Sequence, residues 1–105
     1  MASGKLVRDR IPEIIKAHGH MPVVTRLSGE ALLSALYDKL DEERAEFVEA
    51  DGDDAKCEEL ADMIEVIIAL ASHHGCDEAA LMETAARKRE ARGGFSEGFF
   101  YVGDE

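Results

Sequence analysis

Residues 32–68 read LLSALYDKLDEERAEFVEADGDDAKCEELADMIEVII, and the spacing of apolar and acidic positions in this stretch decides the fold. Apolar residues recur at three- and four-residue intervals on both sides of the Asp51-Gly52-Asp53-Asp54 cluster, the pattern of two amphipathic helices joined by a turn. With each residue advancing about 100° around a helix, Leu32, Leu33, Leu36, Leu40 and Phe47 share one face of the first. Glu43 falls inside that apolar arc and Glu46 at its border, while Glu42 and Glu49 point away. In the second helix Leu60, Met63, Ile64, Val66, Ile67, Ile68 and Leu70 cover more than half the circumference. Glu59 lies inside this arc and Asp62 on its border, whereas Glu58 and Glu65 fall on the solvated side. A short turn makes the two helices antiparallel, so the pair Glu43/Glu46 faces the pair Glu59/Asp62.

Working outward, Ser28 is positioned to cap a helix running to about Ala50, and the Asp-Gly-Asp-Asp cluster to cap the next, from about Ala55 to His74. Gly75 stops that helix. Asp77 opens a fourth, which carries Arg87, Lys88 and Arg89 near its end and stops at Gly93-Gly94. Before the long pair, Pro12 sits in the first turn of a short helix that ends at Gly19. Residues 22–27 and 98–102 are β-prone and predict a small two-stranded ribbon. The expectation is one all-α domain over residues 1–105, an antiparallel four-helix bundle with two long central helices. The apolar arc of the third helix is wider than a small monomer needs, which predicts a homodimer or a dimer of dimers.

A net charge of −11 excludes a general binder of nucleic-acid polymers or of anionic membrane surfaces, both of which require a basic field. No leader is expected, and no apolar run approaches the roughly 20 residues that span a bilayer. Cys57 and Cys76 have neither disulfide-framework nor metal-site spacing and read as free thiols of a cytoplasmic protein. His73 and His74 end a helix and His18 and His20 flank a glycine, so none reads as a ligand. Tyr37 and Phe47 read as packing residues.

The four acids on the apolar side carry the chemistry. Ionised carboxylates near a core are costly unless something cationic compensates them. Four converging carboxylates are a ligand set suited to Mg²⁺ or Mn²⁺. A di-iron bundle would need Glu-x-x-His pairs, which neither helix has. The alternative is that Glu43 and Glu59 reach solvent from the edge of the stripe, or pair with Arg44 and Lys56.

Glu42-Glu43-Arg44-Ala45-Glu46, then twelve residues, then Glu59-Leu60-Ala61-Asp62, resembles the Glu-Glu-x-x-Glu … Glu-x-x-Asp signature of the MazG-like, all-α nucleoside triphosphate pyrophosphohydrolases. The opening from Lys5 to Ile15 and the closing Arg92-Gly93-Gly94-Phe95 resemble the short, single-domain, phosphoribosyl-ATP pyrophosphohydrolase-like branch. The resemblance implies Mg²⁺-dependent cleavage between the α- and β-phosphates of a nucleoside triphosphate. It implies Glu43, Glu46, Glu59 and Asp62 as metal ligands and catalytic groups, with Glu42 in an outer-shell role. Lys5, Arg8, Arg10, Lys88 and Arg92 are the candidates to grip phosphates. Glu97 departs from the branch, standing where a basic residue is expected. Two other functions stay open: phosphoribosyl-ATP pyrophosphohydrolase of histidine biosynthesis, against which the Arg8-Asp9-Arg10-Ile11-Pro12 stretch counts, and a non-catalytic helical interaction module with a structural metal.

Overall fold

Four helices form where the apolar periodicity places them, and the computed structural model describes residues 4–105. They are α1 (Ile11–Ala17), α2 (Gly29–Glu49), α3 (Asp53–His73) and α4 (Glu78–Arg92). Pro12 lies in the first turn of α1, where its missing N–H costs nothing. Asp77 caps α4, its carboxylate accepting from the Ala80 N–H at 2.8 Å. At the end of α3, Gly75 takes φ +80 and the Cys76 N–H returns to the Ala71 carbonyl at 2.9 Å, closing the last turn in the way a left-handed glycine permits.

Two expected caps differ. Ser28 occupies the N-cap of α2, but its hydroxyl accepts no bond from the first turn. The N-cap of α3 is Gly52 at φ +92, with no side-chain cap, so the aspartates around it act through charge at the helix start instead. Gly52 is a tight corner between the two long helices. Lys56, one turn into α3, donates to the Phe47 and Val48 carbonyls at 2.9 and 3.3 Å and lies 5.0 Å from the Phe47 ring centre. It satisfies carbonyls that the end of α2 would leave free, and it fastens the hairpin.

The helices pack in series, α2 on α3 and α3 on α4, while α1 packs on no other helix among the described residues. Among the described residues Leu36 of α2 and Val66 of α3 are the buried apolar side chains, so the core is a narrow seam between those two helices. The expected β ribbon does not form: among the described residues there is no strand, at 22–27 and 98–102 included. Val23, Phe99, Phe100 and Val102 are open to solvent, and a two-stranded ribbon with no layer beneath it has too little to hold it. The described fold is all-helical, as expected of an all-α bundle, and the molecule is long, 62 × 35 × 27 Å.

Candidate metal centre

The seam that buries Leu36 also buries an acid. Glu43 is only 5% exposed, on the core side of α2 as its position in the apolar arc required. The antiparallel hairpin brings it to Glu59 and Asp62 of α3, and one oxygen from each of the three lies within 4.8 Å of the others. A second group at the same mutual distance joins Glu43 to Glu42 and Glu46. Glu43 is therefore shared by two acidic triplets, which divide the four sequence-predicted ligands between them: Glu46 falls in one, Glu59 and Asp62 in the other. Glu42 does not point away as the wheel implied; it is half-buried and turns along α2 toward Glu43.

The charge balance is incomplete. Lys39, one turn before Glu43, lies 3.3 Å from Glu43 and 3.4 Å from Glu42. Arg8 donates to Asp62 at 2.6 Å, and Lys5 to Glu42 at 3.5 Å. Three cations meet five acids, so two negative charges stay uncompensated when all are ionised, the charge of one divalent cation. Glu43 Oε2 and Glu59 Oε2 are shut off from water without a hydrogen-bond donor, an expensive condition for a carboxylate. The protons respond accordingly. Glu46 is held above the ordinary 4.5 first by the neighbouring Glu43 carboxyl within hydrogen-bonding reach, then by desolvation and by the charges of Glu43 and Glu42. Glu59 is also raised, first by desolvation, then by the charge of Glu46.

The cationic candidates divide. Lys5 and Arg8, on the extended strap before α1, reach the acids, and the strap's Leu6 and Val7 wall a cleft of about 440 Å³ that runs over Glu43 and Asp62. Arg10 does not reach it; it turns onto Glu13 of its own helix at 2.7 Å. Lys88 and Arg92 line a separate groove at the end of α4 with Phe95, away from the acids. Their basic character serves the end of the helix, and α4 docks on α3 rather than over the α2–α3 seam.

A stretch of 54 residues, 51% of this chain, is 54% identical to an uncharacterized protein of Mycolicibacterium smegmatis. The match covers 55% of that protein, so the chain spans about half of its length. No family model and no solved structure matches the chain.

Lys39 was missed by sequence reasoning, although its position four residues before Glu43 is the spacing at which helical ion pairs meet. The alternative partners, Arg44 and Lys56, do not neutralise the acids: Lys56 is spent on backbone carbonyls, and no ion pair to Arg44 occurs among the described residues. His73, read as a surface group, lines the far end of the cleft beside Ser72, with Leu32, Leu36, Val66 and Ala69 between them and the acids. The arrangement is chemically two-sided. One end of the cleft offers hard oxygen donors for a cation such as Mg²⁺ or Mn²⁺, and the rest offers an aliphatic wall for an apolar or flat ligand group.

Proposed function

We propose that the chain is a Mg²⁺-dependent nucleoside triphosphate pyrophosphohydrolase, with Mn²⁺ able to substitute, that cleaves between the α- and β-phosphates to give the monophosphate and pyrophosphate. The observation that carries this reading is the Glu43–Glu59–Asp62 group, in which two buried carboxylate oxygens lack any donor. Glu43, Glu46, Glu59 and Asp62 would hold the cation, and Glu42, tied to Lys5 and Lys39, would orient Glu43 from outside. When bound, the cation supplies charge neutralisation at phosphate oxygens and a lowered pKa for a coordinated water. A carboxylate of the set with a raised pKa is suited to accept that water's proton, and Glu46 and Glu59 are the two so placed. Arg8, which lines the cleft, and Lys5, which reaches Glu42, would donate to phosphate oxygens, and the aliphatic cleft would accept the nucleoside.

The same reading includes a homo-oligomer, a dimer or a dimer of dimers, acting in the cytoplasm on a nucleotide rather than on a polymer or a membrane. Two buried apolar side chains among the described residues are a small core for a chain of this length, which supports a partner. The radius of gyration of 17.7 Å exceeds the roughly 13 Å of a compact domain this size. Among the described residues no helix is long and apolar enough to cross a membrane.

The test is pyrophosphate release from a panel of common and modified nucleoside triphosphates, with Mg²⁺ and with chelator. Release is expected only with Mg²⁺, and Glu59→Gln is expected to abolish it with helical content intact. Metal-dependent melting without turnover of any triphosphate would reject the enzyme and leave a structural metal site.

A further inference from the structure

The chain beyond α4 is the most exposed apolar segment of the molecule. Phe95, Phe99, Phe100, Tyr101 and Val102 all stand in solvent, Phe99 at 93%. Among the described residues no hydrogen bond or ion pair joins residues 95–105 to a helix. Apolar surface this concentrated on one short segment marks an interaction site. A complementary surface exists on the same chain. Leu60, Ile64 and Ile67 follow one another at three- and four-residue spacing on the face of α3 turned away from the acids, and each is exposed, Leu60 at 44%.

We propose that residues 95–102 form an exchanged arm, which leaves one copy of the chain after Gly93-Gly94 and packs its aromatic side chains on the Leu60–Ile64–Ile67 stripe of a second copy. This rests on the homo-oligomer reading above and adds to it the element that makes the contact. Three observations favour a second copy over another occupant. Leu36 and Val66 are the only buried apolar side chains among the described residues, a core that a second copy would complete. Donor and acceptor surfaces sit on one chain, so a twofold pairing satisfies both at once and closes. The area is also sufficient: four aromatic side chains bury roughly 150–250 Å² each, together near the roughly 800 Å² per partner of a stable interface. Gly93, at φ +85, gives the chain a corner at which the arm departs from the α4 axis.

The experiment uses the purified full chain with Phe99 replaced by the photoreactive analogue p-benzoyl-phenylalanine. Irradiation is expected to give a product of twice the chain mass, with the crosslink mapping to the peptide that holds Leu60–Ile67. A crosslink within one chain, or none, overturns the arm. In parallel, light scattering across a dilution series compares the full chain with Phe99→Ser/Phe100→Ser and with a chain ended at Gly94. Association at least tenfold weaker, so that dissociation sets in at a correspondingly higher concentration, is expected for both variants. Unchanged assembly of the variants overturns the arm and leaves the oligomer. A full chain that is monomeric at micromolar concentration overturns both, while pyrophosphate release still judges the catalytic reading independently.

Discussion

Glu43 would do two opposed things on the proposed reading: its burial weakens the metal-free protein, and the same burial would prepare a cation site. An unpaired buried carboxylate oxygen costs on the order of 1–3 kcal/mol, and Glu43 Oε2 is in that position. Glu43→Gln is therefore expected to melt at or above the wild-type temperature in chelator, because a like charge leaves the cluster while the shape stays. In Mg²⁺ at a hundred times its Kd the wild type is expected to gain about 2.7 kcal/mol, and the variant to lose that gain; differential scanning calorimetry reads both. The raised pKa values of Glu46 and Glu59 set the sign of the pH response. A carboxyl with a folded pKa above its unfolded value contributes stability that is full below about 4.5 and is lost as pH rises through the folded value. Metal binding requires the deprotonated form. Mg²⁺ affinity is thus expected to rise with pH above 4.5, with protons released on binding; calorimetric titration in buffers of different ionisation enthalpy measures it. The acids were legible from the sequence because helical period alone places them. The cations were not, since Arg8 meets Asp62 across 54 residues of chain and only the finished fold brings them together.

At the scale of elements, the α2–α3 hairpin is what turns two local patterns into one site. Its corner is Gly52, at φ +92 and ψ 155, a conformation that costs a side chain roughly 1–3 kcal/mol. Gly52→Ala is expected to lower stability by about that amount and to weaken metal binding, since the register of the two acidic pairs depends on the corner. Lys56→Met removes the ammonium from the Phe47 and Val48 carbonyls; a loss of about 1 kcal/mol is expected from denaturant unfolding, discounted for partial exposure. All four helices were readable within a residue or two, as stop signals such as Gly75 act locally. The ribbon at 22–27 and 98–102 was misread because β propensity reports fit to a half-buried surface, and neither segment has one within a single chain.

For the whole molecule, elongation and sparse burial lead to one prediction: folding coupled to association. The melting temperature is expected to rise with protein concentration, as it does when the folded monomer is not independently stable. Scans at 2 and 200 micromolar (about a hundredfold range) that superimpose would contradict this. The wide apolar arc of α3 led the sequence reading to expect a second subunit, and Leu60, Ile64 and Ile67 of that arc are exposed in the single chain. The bare Phe99 and Phe100, on which the arm proposal rests, were not legible in the sequence, which read them as strand.

The claim beneath the rest is that carboxylates from α2 and α3 converge on one cation. Calorimetric titration of Mg²⁺ into the wild type, Glu43→Gln and Glu59→Gln tests it without reference to any substrate. Saturable binding at a fixed ratio per chain is expected for the wild type, and at least tenfold weaker binding for both variants with helical content preserved. Weak, non-saturating uptake that is the same in all three proteins would contradict it.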